Sequence, residues 1–189
     1  MKFDLPIDAI LPQLVERLST YGRVVLQAPP GAGKTTRVPL AILHSGICSG
    51  KILMLEPRRL AAIAAAERMA ETLGEPIGAT VGFRVRGQTK IGPNTRIEVL
   101  TEGILTRMLQ SDPALPGVSA VLFDEFHERS LNADLGLALS WEVRETLRSD
   151  LMLVVMSATL DSGPVAKLLN NAPIVTSEGR SYPVEIIHL

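Results

Sequence analysis

A run of glycines and prolines near the start of the chain ends in a lysine and two hydroxyl side chains. Its members are Ala28, Pro29, Pro30, Gly31, Ala32, Gly33, Lys34, Thr35 and Thr36. Glycines let the backbone curl so that its N–H groups converge on phosphate oxygens, and Lys34 would reach the β- and γ-phosphates of ATP. The Thr35 hydroxyl would ligate Mg²⁺. We therefore predict a phosphate-binding loop, although Ala28 stands where the strict pattern has glycine.

Two carboxylates follow an apolar run in the second half of the chain. Asp124 and Glu125 come directly after residues 119–123, which are typical of a buried strand. Ligands of parallel sheets bind at the carboxyl ends of strands, so Asp124 would face the same crevice as Lys34. There Asp124 would hold Mg²⁺ through water, and Glu125 would orient and deprotonate an attacking water. Taken without the phosphate loop, the same acids suit a solvated loop equally well.

The elements that must position these residues alternate along the chain. Short β-branched or apolar runs predict strands at residues 23–27, 51–55, 96–100, 119–123 and 151–156, with a strand or turn at 80–86 and short strands near 174 and 184. Segments of helical periodicity lie between most of them. This alternation predicts an α/β fold with a mainly parallel sheet and helices on both faces.

Composition narrows the classes of partner. The 189 residues are 46% hydrophobic and 21% charged, as in one soluble globular domain. A net charge of −1 counts against a basic surface that binds nucleic acid everywhere, so any such contact must come from local arginines. The single cysteine, Cys48, excludes an internal disulfide and fits a cytoplasmic protein. No apolar stretch reaches the roughly 18 residues of a membrane span.

Five segments, in order along the chain, resemble the helicase motifs of the DEAH-box family. Residues 33–36 resemble motif I, 56–62 motif Ia, 101–105 motif Ib, 124–130 motif II and 157–159 motif III. Phe126 stands where the family name has alanine, and with residues 178–184 it resembles the bacterial HrpB type. The resemblance implies a three-layer RecA-like P-loop NTPase domain. It also implies an enzyme that couples ATP hydrolysis to translocation along nucleic acid, or to its unwinding.

The resemblance assigns roles to individual residues. The catalytic residues would be Lys34, Asp124, Glu125 and His127. Ser157 and Thr159, together with His127, would couple ATP hydrolysis to lobe movement, and Arg68 would stack on adenine. The residues that contact nucleic acid would be Arg58, Arg59, Arg86 and Thr101. Arginines and hydroxyls suit phosphate oxygens, and such contacts position a strand without reading its sequence. Arg68 could equally be an ordinary exposed helix arginine, and Arg86 part of a charged strand edge. The family favours single-stranded RNA over DNA, which the residues themselves leave open.

The motifs correspond to only one of the two RecA-like lobes that form the family's ATPase unit. The second-lobe motifs, with an arginine finger, should lie far beyond Thr159, yet about 30 residues follow it. We therefore expect residues 1–176 to be the first lobe and 177–189 an exit segment towards a second lobe of the same protein. Alone, this chain should hydrolyse ATP slowly, since an arginine finger contributes roughly 10³–10⁵ in rate.

Two other functions remain compatible with the phosphate loop. A P-loop ATPase with no nucleic-acid role would need nothing resembling motifs Ia and Ib, so those segments count against it. A non-catalytic nucleotide-binding interaction module is supported only by Ala28, because every catalytic residue type is present.

Overall fold

The computed structural model describes residues 5–158 and 162–178, and within them eight strands form one sheet. The strands are β1 (Arg23–Gln27), β2 (Lys51–Glu56), β3 (Val81–Val85), β4 (Gln88–Lys90), β5 (Ile97–Thr101), β6 (Val118–Phe123), β7 (Met152–Ser157) and β8 (Ile174–Thr176). Their order across the sheet is β4-β3-β5-β2-β6-β7-β1-β8. All neighbours are parallel except β3 and β4. The mainly parallel sheet expected from the sequence is confirmed.

Helices cover both faces of this sheet. They are α1 (Leu11–Tyr21), α2 (Lys34–Ser45), α3 (Arg59–Leu73), α4 (Glu102–Ser111), α5 (Leu131–Thr146) and α6 (Gly163–Leu168), with 3₁₀ turns at Pro6–Ile10 and Phe126–Glu128. The first three helices share one core cluster and the last three share the other. Along β2, Ile52 and Met54 enter the first cluster while Leu53 and Leu55 enter the second, as the two-residue repeat of a strand requires.

Two elements had no counterpart in the sequence prediction. The strand β4 is short, and all three of its polar side chains are exposed, so it carries no apolar signal. The 3₁₀ turn Phe126–Glu128 is held between residues of unusual backbone conformation rather than by periodicity. The predicted strand near residue 184 and all but residues 177 and 178 of the expected exit segment lie outside the described residues. Within the described part, no helix is long and apolar enough to cross a membrane.

The parallel register brings several strand ends to one edge of the sheet. The carboxyl ends of β1, β2, β5, β6 and β7 lie there, because these strands pair in the same direction across the sheet. The segments that follow them contain all five motif-like stretches. This edge, which we call the carboxyl edge, is where a ligand of such a fold binds.

Candidate nucleotide-binding site

The glycine-rich loop joins β1 to α2 at the carboxyl edge. Gly31 and Gly33 both have positive φ, 76° and 96°, which glycine adopts without steric cost. The positive φ at Gly33 would strain any larger residue, and a Cβ there would lie 2.5 Å from the end of the Leu5 side chain, which would have to move. Ala28 does not have positive φ, and its methyl group is fully buried in the first core cluster. The departure from the strict glycine pattern therefore leaves the loop's geometry intact.

Lys34 begins α2 and reaches the acids that follow β6. Its side chain is almost completely buried, and its Nζ donates to Glu125 Oε1 over 2.8 Å. A buried ammonium needs an anionic partner, and here Glu125 supplies it. The structure thus brings together the phosphate loop and the acidic pair, as the sequence predicted. A phosphate arriving at the loop would compete with Glu125 for the same cation.

Asp124 is buried with one oxygen unused. Its Oδ1 accepts a hydrogen bond from the Glu125 backbone N–H over 2.8 Å, whereas Oδ2 has no partner. Burial raises the pKa of Asp124 to about 6; a hydrogen bond from the Thr35 side chain opposes the rise, the charge of Glu125 adds to it, and Lys34 opposes it. A buried carboxylate oxygen without a donor, beside a threonine hydroxyl, suits a cation.

These donors fit Mg²⁺ in particular. The ion favours oxygen ligands and usually takes one or two from protein, with the rest from phosphates and water. Thr35 and Asp124 would provide the protein ligands. Among the described residues there is no group of three or more His, Cys, Asp or Glu side chains that could enclose a metal alone.

Glu56 is a buried acid that the sequence prediction did not select. It ends β2, is 4% exposed, and its pKa is raised to about 8, first by burial and then by the charges of Asp124 and Glu125. A backbone hydrogen bond from Arg58 opposes this rise. An acid directly after an apolar strand was the signal that identified Asp124, and the same signal could have identified Glu56.

The loop between β6 and α5 contacts four neighbouring loops. Two of its residues, Glu125 and Arg129, hold left-handed conformations with φ of 47° and 52°, which are costly for residues with a side chain. Its contacts to other strand ends are Glu125 with Lys34, Glu128 with Arg58, His127 with Ala158, and Ser130 with Glu102. We call this segment, residues 124–130, the acidic loop. Through these contacts the acidic loop connects the segments that follow the other strands at the carboxyl edge.

His127 joins the acidic loop to the end of β7. Its Nδ1 accepts from the Ala158 backbone N–H over 3.3 Å and lies 3.3 Å from Glu125 Oε2. Ser157, the last residue of β7, is buried, and its carbonyl accepts from the Ala28 N–H over 3.0 Å. The coupling candidates His127 and Ser157 are therefore both adjacent to the phosphate loop or its acids. Thr159 lies outside the described residues.

An open cleft connects the phosphate loop with the start of α3. Its volume is about 360 Å³, and it is lined by Thr35, Glu56, Arg58, Ala61, Glu125 and Glu128. Three of these side chains are acids and one is an arginine. The predicted nucleic-acid contact Arg58 thus shares a cavity with the predicted ATP chemistry.

The other residues predicted to contact nucleic acid or adenine lie on several different elements. Arg59 is exposed at the start of α3, Arg86 is exposed beside the β3–β4 turn, and Thr101 is half-buried where β5 passes into α4. Arg68 is exposed on α3 and pairs with Glu71 at 2.9 Å. The structure does not bring these four residues into one cluster.

Comparison with known proteins identifies a matching family and several proteins of similar sequence. The DEAD/DEAH box helicase family matches residues 9–168. The chain is 58% identical over 182 residues to the ATP-dependent RNA helicase HrpB of Escherichia coli, covering 96% of this chain and 22% of that protein. It is 36% identical over 187 residues to the ATP-dependent RNA helicase HrpA of Borreliella burgdorferi, covering 98% of this chain and 23% of that protein.

A solved structure shows the same fold. The crystal structure of the Escherichia coli DEAH/RHA helicase HrpB superposes with a TM-score of 0.92 at 56% identity, covering 96% of this chain and 23% of that one. The RecA-like α/β fold expected from the motifs is confirmed by this match. The chain spans less than a quarter of the length of these relatives.

Proposed function

The chain belongs to the DEAD/DEAH box helicase family, and from that membership we propose that it is the ATP-binding motor lobe of an RNA helicase. The observation that carries the proposal is the contact of the buried Lys34 side chain with the half-buried Glu125, beside the unpartnered oxygen of Asp124. The names of the relatives, ATP-dependent RNA helicases, support RNA as the substrate class. Residues 1–176 form the first lobe in this proposal, and 177–189 lead to a second one.

Lys34 and Glu125 exchange partners when ATP binds. The backbone N–H groups of the glycine-rich loop and the N-terminus of α2 receive the phosphates. Lys34 turns from Glu125 to the β- and γ-phosphate oxygens, which leaves Glu125 free to orient the attacking water and take its proton. Bound Mg²⁺ would neutralise charge on the phosphates, with Thr35 and Asp124 holding it. Arg68 would stack on the adenine.

The coupling step uses contacts that already link the acidic loop to β7. Glu125 lies 3.3 Å from His127, which in turn accepts from Ala158. When Glu125 changes partner, His127 transmits the change to Ser157 and Thr159. These residues would then act on the second lobe, which completes the ATP cleft in this proposal.

RNA would bind through its phosphates at the carboxyl edge. Arg58, Arg59, Arg86 and Thr101 would supply the contacts, which position a strand without reading its bases. RNA and ATP are both available in the cytoplasm, where we propose that the protein works.

Removing two arginines at the start of α3 tests the RNA role. In the full-length protein that carries this chain, Arg58→Ala with Arg59→Ala should weaken binding of single-stranded RNA and reduce the steepness of log affinity against log salt by about 1.4. The matched control is Arg17→Ala with Lys167→Ala, which removes the same charge. These residues lie on α1 and α6 towards the opposite edge, where the end of α6 hydrogen-bonds to Arg23 at the start of β1.

The same assay separates the alternatives. The helicase role is supported if RNA stimulates ATP hydrolysis by the wild type and the control variant but not by the Arg58→Ala/Arg59→Ala variant. An ATPase without a nucleic-acid role would show neither RNA binding nor stimulation. A non-catalytic module would bind nucleotide without hydrolysing it in any variant.

A further inference from the structure

An ion pair links α3 with the acidic loop at the wall of the cleft. Arg58 stands at the N-cap of α3 in an extended conformation, and its Nη2 contacts Glu128 Oε1. The Arg58 side chain is 70% exposed and that of Glu128 is 30% exposed. Arg58 is also one of the residues proposed above to bind an RNA phosphate, so its guanidinium has two competing anions.

We propose that Glu128 is a positioning residue that holds Arg58 against the acidic loop until an RNA phosphate displaces it. The displacement releases Glu128 and thereby signals strand binding to the loop that carries Glu125. This inference rests on the proposed function, because it requires Arg58 to bind an RNA phosphate. It assigns to Glu128 a role in sensing the strand rather than in ATP chemistry.

The exposure of the pair makes the exchange feasible. An ion pair so open to water changes an equilibrium by only about two- to fivefold. A phosphate offers the guanidinium a bidentate partner, and the strand gains further from the counterions that it releases. The phosphate therefore outcompetes Glu128 without a large barrier, whereas the Lys34 side chain, only 4% exposed, is not open to the strand.

The charge of the cleft determines which group moves. Among the described residues that line the cavity, Glu56, Glu125 and Glu128 are acids and Arg58 is the one cation. A strand phosphate that entered would meet the carboxylates of Glu125 and Glu128, so the strand stays at the mouth of the cleft. Arg58 consequently turns outwards to meet the strand and leaves Glu128 behind.

The loop's backbone connects Glu128 to the catalytic acid. The N–H of Glu128 donates to the carbonyl of Glu125 over 2.9 Å, closing the 3₁₀ turn between them. Left-handed residues, Glu125 and Arg129, bound this turn on both sides. Because such conformations persist only while neighbouring contacts impose them, the loss of one contact shifts the remaining ones.

A cycle of variants at the two positions tests the pairing in the full-length protein. Glu128→Gln should lower the dissociation constant for single-stranded RNA, and the RNA concentration for half-maximal ATPase stimulation, by about two- to fivefold at low salt. Both effects should shrink at high salt because the competing pair is exposed. In an Arg58→Ala background, the same Glu128→Gln change should alter neither quantity.

The outcomes separate this inference from the proposed function. If Arg58→Ala leaves RNA binding unchanged, the RNA role of Arg58 is wrong. If Arg58→Ala weakens binding but Glu128→Gln matches the wild type, or acts equally in both backgrounds, the positioning role of Glu128 is wrong and the RNA role stands. Should Glu128→Gln fail to fold, Glu128→Asp makes the same comparison, because shortening the side chain weakens the pair while keeping its charge.

Discussion

Two regions of the sheet bury carboxyl groups, and they differ in whether cationic side chains of the same chain neutralise them. Glu98, the second residue of β5, is 1% exposed, and its two oxygens accept from Lys51 and Arg84. At the carboxyl edge, Asp124 is 3% exposed and keeps an oxygen without a partner. Glu56 beside it is nearly as buried. The first region is neutralised from within the chain, whereas the second has more buried acid than cation.

The difference indicates which buried charges belong to the framework and which to a site. Burying an unpaired carboxylate is costly, so a fold retains one only where something else offsets the cost. At Asp124 the offset would come from a bound cation, whereas Glu56, with its pKa raised to about 8, keeps its proton at neutral pH. The comparison also explains Arg84, which lies near the predicted nucleic-acid residues but pairs with Glu98 at 2.7 Å.

The largest expected effect is on the rate of ATP hydrolysis, when a buried carboxylate in each region is replaced by its isosteric amide. Asp124→Asn should reduce the rate of ATP hydrolysis by the full-length protein about 10²–10³-fold, because a metal ligand is weakened where charge develops. Glu98→Gln should hydrolyse ATP at close to the wild-type rate at 25 °C. Steady-state kinetics with saturating Mg²⁺ measure both. Comparable losses in the two variants would remove the distinction between the regions.

The order should reverse for stability. Glu98→Gln weakens two ion pairs around a buried side chain and should lower the free energy of unfolding by about 1–3 kcal/mol. Asp124→Asn removes a poorly solvated charge and should leave that free energy unchanged or raise it. Urea denaturation at pH 7 without nucleotide compares them. A loss in Asp124→Asn as large as that in Glu98→Gln would contradict this explanation of the buried acids.

A smaller effect should follow from pH. The pKa of Glu56 is raised from 4.5 to about 8 in the folded chain, so the folded state binds more protons than the unfolded state between these values. Its contribution to stability is complete below pH 4.5 and is lost as pH rises through 8. The corresponding window for Asp124 runs from 3.8 to about 6.

Glu56→Gln isolates the upper part of that window. Between pH 6 and 8.5, the nucleotide-free wild type should lose about 1–2 kcal/mol of unfolding free energy from this group, after allowing for relaxation around it. The variant should lose correspondingly less. If denaturant titration shows equal pH dependence in the two proteins, the pKa of Glu56 is not raised in the folded state.

The sequence predicted most of the sheet because its strands are apolar and buried on both faces. It also predicted that Lys34 and Asp124 would share a crevice, since parallel strands end at one edge. It did not predict β4, whose residues are all exposed and polar. The pairing of Arg58 with Glu128 spans 70 residues and depends on which strands are neighbours, a relation that no local pattern contains.

Burial was the other quantity that local pattern could not supply. Glu56 and Glu98 both lie in or at the end of an apolar strand, yet Glu98 is paired with two cations and Glu56 borders an open cleft. Only the packing of strands β2, β3 and β5 separates these two cases. Residue type and spacing therefore indicated the chemistry, and the tertiary structure selected the acids that can perform it.

Calorimetric titration of ATP, with and without Mg²⁺, tests the central claim that the acids of the carboxyl edge and the phosphate loop form one Mg²⁺-nucleotide site. The wild type should bind ATP more tightly when Mg²⁺ is present. Asp124→Asn should lose most of that gain, and Lys34→Ala should bind weakly under both conditions. A gain from Mg²⁺ that is equal in Asp124→Asn and the wild type would contradict the account.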